Sequence, residues 1–210
     1  MKTYRKTSVI LVLLFSTVIS LLYACDSNSD NNEINSNDKA ITSADRDALL
    51  FMLEEEKLAR DTYTYLNDKW AINQFANIKN SEQTHMDAIE SLLIEYDIDY
   101  SILPMGQFKN TELQAYYNQF VVDGSVSQLK ALNVGATIED LDIVDLQEYI
   151  DTTENAQVIS VFEMLQCGSR NHLRSFEQAI DVFGSTYVPQ FLSVEDYNAI
   201  ISSANEKCGQ

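Results

Sequence analysis

Four long stretches of this 210-residue chain repeat apolar side chains at helical spacing, which limits the fold more than any other feature. The stretches are residues 43–67, 73–96, 127–150 and 153–183. Each has one apolar stripe and a polar opposite face, as helices packed side by side have. Only two prolines and six glycines are present, and no strand pattern or solenoid-length repeat is visible. The sequence therefore predicts an all-α fold.

The connections between the stretches predict their topology. The first two helices are joined by a few residues around Trp70, and the last two around Asp151 and Thr152, so each pair should form an antiparallel hairpin. Between the pairs, residues 97–126 carry a short helical pattern of their own. Two hairpins with one long crossover is the topology of ferritin-like four-helix bundles. Ser193 opens a capping box that predicts a short C-terminal helix.

Each apolar stripe is interrupted near its middle by polar residues, which include the chain's two histidines. These residues are, in chain order, Glu56, Glu82 with His85, Glu139 with Asp142, and Ser169 with His172. A carboxylate on an apolar stripe costs several kcal/mol unless it is paired or bound to a metal ion. Four helices that each carry such a polar residue near the middle of the apolar stripe are hard to explain as chance. Because a stripe histidine is often a satisfied core residue, a structural polar network is the alternative.

Carboxylates and imidazoles that converge in the core of a helical bundle are the ligands of dinuclear metal sites. The carboxylates would bridge and neutralise two ions, and one imidazole would cap each ion. This donor set suits octahedral iron or manganese better than tetrahedral zinc. The predicted ligands of two iron ions, with manganese as the alternative, are Glu56, Glu82, His85, Glu139, Asp142 and His172. Dioxygen or peroxide is the expected small-molecule substrate at an open coordination position.

Several segments resemble known di-iron proteins. Glu56-Lys-Leu-Ala-Arg60 followed by Tyr63 resembles the first helix of rubrerythrins, Glu82-Gln-Thr-His85 matches their second-helix E-x-x-H motif, and Glu139-Asp-Leu-Asp142 is similar to their third-helix acids. Residues 43–205 resemble more closely a ferritin-like family of bacterial and archaeal domains of unknown function. The segments that carry this resemblance are 54–61, 81–88, 134–139 and 168–174. The resemblance implies a rubrerythrin-related fold with a metal centre, and it implies no known activity.

The fourth helix departs from the rubrerythrin pattern. Rubrerythrins have a second E-x-x-H motif there, where this chain has Ser169-Arg-Asn-His172. A serine hydroxyl is a poor ligand, so Ser169 is expected beside the metals. Either Asp142 compensates for the missing carboxylate or the second metal is weakly held, and the weak half is expected to be the one that His172 holds. The chain also lacks a rubredoxin-like four-cysteine segment, so a peroxidase cycle would need an unknown separate electron donor.

Other polar residues near the predicted ligands have more than one interpretation. Arg60 and Arg170 are either hydrogen-bonding partners of the ligand carboxylates or surface charges. Tyr63 lies two turns from Glu56 on the same stripe and is either core packing, which is favoured, or a redox-active neighbour. Glu54 and Glu55 are expected on the solvated face of the first helix.

The N-terminus has the pattern of a targeting segment, residues 1–24. Its basic start carries two lysines and one arginine, and residues 10–22 are almost wholly apolar but short for a membrane span. Leu22-Tyr-Ala-Cys25 resembles the lipobox of bacterial lipoproteins, with Cys25 as the lipidated residue. A secretory signal with a chance cysteine is the alternative. The prediction is a lipid-anchored protein of the cell envelope, in the periplasm or on the outer-membrane surface.

The charge and the remaining cysteines restrict the function further. Residues 25–42 are expected to form a disordered tether that reaches roughly 20 Å. The net charge of −18 becomes −21 without the three positive charges of the leader, which argues against binding nucleic acid or an anionic membrane surface. Cys167 and Cys208 would form a disulfide if they lie close together in an oxidising compartment. No C-x-x-C motif supports a structural zinc site.

Three functions are therefore open. The first is a membrane-tethered di-iron or di-manganese protein with oxidase or peroxide-reducing chemistry. The second is a non-catalytic binding lipoprotein whose bundle keeps a polar core. The third is a mononuclear metal carrier or sensor. Residues 206–210 are expected to be a tail, and no expectation for the oligomeric state follows from the sequence.

Overall fold

The structure is a computed structural model that describes residues 40–209. Within these residues the chain forms six helices and no strand, which confirms the predicted all-α class. The helices are α1 (Ser43–Trp70), α2 (Asn73–Glu95), α3 (Thr111–Asp123), α4 (Gln128–Thr152), α5 (Ala156–Asp181) and α6 (Val194–Ser202). The four long helices begin and end within three residues of the predicted bounds. The predicted leader 1–24, Cys25 and the tether as far as residue 39 lie outside the described residues.

The four long helices pack as two hairpins. Residues 71–72 join α1 to α2, and residues 153–155 join α4 to α5, so each pair is antiparallel. Helix α1 is also antiparallel to α4, because Phe51 packs on Tyr149 while Tyr63 reaches the carbonyl of Gly135. The long connection between the hairpins carries α3, which packs on α1 and α4. The predicted bundle with one long crossover and a short C-terminal helix is therefore the architecture of the described residues.

Helix α5 runs antiparallel to α2 in the same way. Near the start of α5, Asn155 and Gln157 bind the hydroxyl of Tyr96 at the end of α2. Near the other end, Phe176 packs on Phe75 with ring centroids 5.5 Å apart. This alignment brings the middle of each long helix to the same depth in the bundle, so residues that are far apart in sequence meet there.

The helices begin at clear capping residues. Thr42 caps α1: its Oγ1 accepts from the backbone N–H of Asp45 at 3.1 Å, and the Asp45 carboxylate accepts from the N–H of Thr42 at 2.9 Å. Ser193 caps α6 by accepting from the N–H of Asp196 at 3.1 Å. Such caps satisfy backbone donors that the helix itself leaves without partners. None of the described helices is both long and apolar enough to cross a membrane.

A buried lysine fixes the crossover to α1. The Nζ of Lys57 donates to the carboxylate of Asp61 at 2.5 Å and to the carbonyls of Pro104 and Gln107 at 3.2 and 3.1 Å. Asp61 also accepts from the N–H of Gly106 at 2.9 Å, where the backbone turns through a positive φ. A buried ammonium is tolerated only with such a set of partners. The crossover is therefore held across the middle of α1.

The apolar core is divided into two clusters along the bundle. One cluster contains Tyr63, Phe75 and Phe176. The other contains Leu49 and Phe162. On α1, α2 and α5 the polar stripe residues lie between the two clusters, and on α4 they lie among the last residues of the first cluster, just before the change. The bundle thus encloses a polar layer between two apolar ends.

Candidate metal centre

Five of the six predicted ligands form two adjoining groups in the polar layer. The first group is Glu56, Glu82 and His85, and the second is Glu82, Glu139 and His172. In each group one nitrogen or oxygen atom from every residue lies within 4.8 Å of the others. Glu82 belongs to both groups. The arrangement is therefore a pair of sites that share one carboxylate.

The atoms that face each other are the Nδ1 nitrogens and the carboxylate oxygens. His85 Nδ1 lies 3.1 Å from Glu56 Oε2 and 2.9 Å from Glu82 Oε2. His172 Nδ1 lies 3.0 Å from Glu82 Oε1 and 3.3 Å from Glu139 Oε2. Although they lie 3.0 Å apart, Nδ1 of His172 and Oε1 of Glu82 are buried without a hydrogen-bond partner. Glu82 thus offers one oxygen to each histidine.

The two imidazole rings are oriented by their surroundings. They stack with centroids 5.6 Å apart and planes inclined by 25°. The outer nitrogen of His172, Nε2, lies 3.0 Å from the hydroxyl of Ser81. His85 lies against the backbone of Gly168, where an added Cβ would come 2.7 Å from its Nε2. The outer contacts leave Nδ1 of both rings directed at the carboxylates.

The sixth predicted ligand, Asp142, lies outside the two groups but in the same layer. Ser169 donates a hydrogen bond to Asp142 Oδ2, and Oδ1 of Asp142 is buried without a hydrogen-bond partner. Glu56 Oε1 is also buried without a hydrogen-bond partner, and the charge of Glu56 raises the pKa of Asp142 more than any other charge does. Asp142 therefore has one oxygen bound to Ser169 on α5 and one buried oxygen without a hydrogen-bond partner.

The electrostatics of the layer reflect an excess of buried negative charge. Burial raises the pKa of Glu56 to about 7 despite the attraction of His85. Burial, and then the charge of Glu56, raise the pKa of Asp142 well above its usual range. Burial opposes a charged His172, but Glu82 and Glu139 raise the pKa of this imidazole to about 10. Without a metal, protons would have to balance the carboxylates.

Tyr63 packs in the core, the interpretation favoured from the sequence, and its hydroxyl also contacts a predicted ligand. Its ring packs between Phe75 and Phe176, and its hydroxyl donates to Glu139 Oε1 at 2.5 Å. Burial and the charge of Glu139 raise the pKa of Tyr63 well above 10. The hydroxyl therefore stays protonated and fixes one oxygen of Glu139, which leaves Oε2 to face His172.

The two arginines contact other residues than the predicted ligands. Arg60 binds Asp61 at 2.8 Å and Gln83 at 2.7 Å, and so connects α1 to α2 beside the layer. Arg170 binds Glu206 at 2.5 Å and Gln166 at 2.7 Å. Their contacts in the structure are those of groups that position helices and the C-terminal segment.

The C-terminal segment is joined to α5. Cys167 and Cys208 form a disulfide with Cα atoms 5.6 Å apart, as considered from the sequence. Arg174 adds a 2.7 Å bond to Glu206, which both α5 arginines therefore hold. Residues 206–208 of the expected tail are thus attached to the helix that carries Ser169 and His172.

Two acids have roles that sequence reasoning missed. Glu55 was expected on the solvated face, and this was wrong: it is 1 % exposed, because α3 and α4 cover that side of α1. Its spacing of three residues from buried Met52 is the sequence signal that could have indicated this. Asp140 is fully buried and accepts from the Tyr187 hydroxyl at 2.7 Å and from the backbone of residues 190–192. It fixes the connection between α5 and α6.

The fold and the site together define a helical-bundle protein with a buried carboxylate–histidine cluster. The model of the uncharacterized protein domain family DUF2202 matches residues 45–204, and the chain belongs to this family. It is 46% identical over 169 residues to the uncharacterized protein MJ0754 of Methanocaldococcus jannaschii, covering 80% of this chain and 91% of the relative. The crystal structure of hypothetical protein MJ0754 superposes with a TM-score of 0.78 at 45% identity, covering 80% and 97% of the two chains.

Proposed function

We propose that this protein is a ferritin-like, rubrerythrin-related carboxylate protein that binds two iron ions, or two manganese ions, in the polar layer of its bundle. The observation that carries the proposal is the position of Glu82 between the two histidines, with one oxygen directed at each Nδ1. A bridging carboxylate needs this geometry. In the resulting assignment, Glu56 and His85 would hold one ion, and Glu139 and His172 would hold the other.

The spacing of the donor atoms fits octahedral ions. Two ligand atoms about 2.1 Å from an ion and at right angles to each other lie about 3.0 Å apart. The four nitrogen–oxygen separations in the layer are 2.9, 3.0, 3.1 and 3.3 Å. Buried oxygens of Glu56, Glu82 and Asp142 lack hydrogen-bond partners, which is rare in folded proteins unless an ion or water satisfies them.

The charge of the layer fits as well. Glu56, Glu82, Glu139 and Asp142 carry four negative charges when ionised, and two divalent ions balance them with the histidines neutral. In a purely structural polar network, two imidazolium groups would balance only half of the four charges. The remaining two carboxyls would have to keep protons. Two divalent ions therefore balance the buried negative charge more completely than two protonated histidines do.

The residues around the layer are suited to redox chemistry with a small oxidant. When bound, two such ions supply electron transfer to dioxygen or peroxide. The protein holds the carboxylates in place through Tyr63 and Ser169 and encloses them between two apolar clusters that exclude bulk water. Electrons would come from a separate donor, because the sequence contains no four-cysteine segment.

We further propose that the protein is lipid-anchored through Cys25 at the cell envelope of a bacterium, in the periplasm or on the outer-membrane surface. The support is the Leu22-Tyr-Ala-Cys25 sequence after an apolar leader, together with the Cys167–Cys208 disulfide, a bond typical of oxidising compartments. Radiolabelled palmitate incorporation that is lost in Cys25→Ala tests the anchor. Label retained in that variant would contradict it.

The decisive experiment is the metal-to-protein ratio of purified protein after aerobic iron loading, read with its absorption spectrum. We expect two irons per chain, and one or none in His85→Ala and His172→Ala. Thr84→Ala, an exposed change one residue from His85, is the matched control and should keep both irons. Folded wild-type protein that stays metal-free after incubation with iron and with manganese would contradict the proposal. The non-catalytic binding protein with a polar core would then be favoured.

A mononuclear carrier or sensor is the second candidate. The observation that favours it is Ser169 in place of a carboxylate on α5, which leaves the His172 half with fewer oxygen ligands. One metal per wild-type chain, lost in His85→Ala and kept in His172→Ala, would select this function.

A further inference from the structure

The Cys167–Cys208 disulfide lies beside the polar layer, on a part of α5 that touches one of the predicted ligands. Cys167 directly precedes Gly168, whose backbone lies so close to the His85 ring that an added Cβ would come 2.7 Å from Cε1 and Nε2. One residue of α5 therefore separates the disulfide from the backbone that contacts this imidazole. Because a disulfide and its two thiols differ by two electrons, this position is suited to electron exchange with the layer.

One sulfur of the disulfide is accessible from the surface. The bond borders a groove of about 460 Å³ that is lined by α5 around Met164 and by the C-terminal residues 207–209. Cys167 is buried, whereas Cys208 is half-buried. The side-chain amide of Asn171 donates to Sγ of Cys208 at 3.3 Å, and such a donor stabilises the thiolate that forms when the bond opens. A thiol reductant in solution can therefore reach and open the bond at Cys208.

The C-terminal segment is also held on α5 by contacts that do not depend on the disulfide. Arg170 and Arg174 bind the carboxylate of Glu206 at 2.5 and 2.7 Å. Asn171 accepts from the backbone N–H of Glu206 at 2.9 Å and donates to its C=O at 3.1 Å. Glu206 is two residues from Cys208, so these contacts keep the two thiols at a high effective concentration after reduction. A dithiol that closes readily is a strong two-electron reductant.

We propose that Cys167 and Cys208 are a redox-active pair that supplies the two electrons for peroxide reduction at the centre. Peroxide reduction there is part of the proposed function, on which this inference rests. Overall, the two thiols and one hydrogen peroxide give the disulfide and two water molecules. The S–S bond forms, the O–O bond breaks, two electrons pass from sulfur to oxygen, and the two thiol protons end in the waters.

An external dithiol then regenerates the pair. One of its thiolates attacks Cys208 from the groove, and Cys167 leaves as the thiol. The second thiol of the reductant closes the reductant's own disulfide and frees Cys208, so that two electrons and two protons pass to the cysteines. A dithiol fits better than a monothiol, because a stable disulfide resists reduction by glutathione. This dithiol is the separate electron donor that the proposed function needs.

The first test of the pair needs no metal. Oxidised full-length protein is treated with dithiothreitol, a small dithiol, and the free thiols of Cys167 and Cys208 are followed by alkylation and peptide mass spectrometry. We expect the bond to open without denaturant while the circular dichroism spectrum stays that of the folded protein, because Cys208 borders the groove. Opening only at denaturing urea concentrations would mean a purely structural bond and would overturn the inference.

The second test couples the pair to the centre. Iron-loaded, fully reduced protein is freed of dithiothreitol and mixed anaerobically with enough hydrogen peroxide to oxidise both the ferrous ions and the thiols. We expect the Cys167–Cys208 linkage to form about tenfold faster or more than in the same protein stripped of metal by a chelator. Cys25→Ala, which removes the third cysteine of the chain, is the matched control and should behave as wild type.

The outcomes separate this inference from the proposed function. If loaded and stripped protein form the disulfide at the same rate, peroxide attacks the thiols directly, so the donor role is wrong while the proposed centre stands. If the protein takes up no metal, the proposed function fails and the donor role fails with it. Loaded protein whose thiols survive the peroxide overturns the donor role alone.

Discussion

Ser169 on α5 donates a hydrogen bond to the buried carboxylate of Asp142 on α4. The bond engages Oδ2 of Asp142 and leaves Oδ1 buried without a partner. Serine therefore acts here by orienting an acid from the neighbouring helix. The unpartnered oxygen makes Asp142 available as a further ligand beside the two groups of the polar layer.

This contact predicts that Ser169→Ala weakens one metal ion more than the other. Removing a group that orients a ligand typically costs 10–100-fold in metal affinity. We expect a loss of about this size for the ion that Asp142 approaches and a smaller loss for the other, measured by competition with a chelator. Ser160→Ala, an exposed change on the same helix, should leave both affinities unchanged. Equal weakening of both ions would contradict the role given to Asp142.

Gly168 provides a separate test for the half of the centre that contains His85. An added Cβ would lie 2.7 Å from Cε1 and Nε2 of His85, a distance that forces the ring to move. Gly168→Ala should therefore weaken the ion held by Glu56 and His85, by about tenfold or more, with the other ion less affected. Chelator competition in the same format as for Ser169→Ala measures this. Unchanged affinity for both ions would show that His85 is not a ligand.

The fold was more predictable from the sequence than the details of the site. The periodic stripes located the four long helices, and short connections fixed the hairpins, because both signals are local. Contacts between residues that are far apart in sequence were harder to predict. Glu55 was placed on the solvated face because its cover comes from α3, more than fifty residues later in the chain. The pairing of Ser169 with Asp142 likewise depends on the alignment of α4 and α5.

The pKa shifts predict the pH dependence of the metal-free protein. The pKa values of Glu56 (4.5 to about 7) and His172 (6.5 to about 10) are both raised by folding. The folded state then binds more protons than the unfolded state between about pH 4.5 and 10, so stability falls as pH rises through this window. The slope reaches about 1.4 kcal/mol per pH unit for each full proton. Folding lowers the pKa of Glu82, so this group makes the unfolding free energy rise with pH, but only at acidic pH.

Urea unfolding in the presence of a chelator checks this, and we expect a lower unfolding free energy at pH 9 than at pH 6. In His172→Asn, the unfolding free energy should depend less on pH above pH 7. Metal-loaded protein should show the reverse trend, because ligands must lose protons to bind and metal affinity therefore rises with pH. Identical pH profiles with and without metal would contradict metal binding in this layer.

The disulfide is predicted to matter for stability and not for metal content. Cys167 and Cys208 close a loop of 41 residues, for which the chain-entropy estimate is about 4 kcal/mol. Arg170 and Arg174 still hold Glu206 after reduction, so the measured loss should be smaller, about 2–3 kcal/mol. Cys208→Ser and reduced wild type should melt alike and still take up two metals. A metal loss on reduction would mean that the C-terminal segment positions His172.

Substituting the buried Lys57 is predicted to have a strong effect on stability, because this side chain holds the crossover. Lys57→Met leaves Asp61 and the carbonyls of Pro104 and Gln107 without the ammonium that joins them. Breaking a buried ion pair from one side costs about 3–5 kcal/mol, and the crossover would be released from α1. Equilibrium unfolding in urea measures the loss, with the exposed Lys130→Met as a control that should change stability by less than about 0.5 kcal/mol. Hydrogen exchange should show the largest gain at residues 104–108, since their contacts with α1 depend on this side chain. A variant as stable as wild type, with protected amides there, would mean that Asp61 and its bond from Gly106 hold the crossover without the lysine.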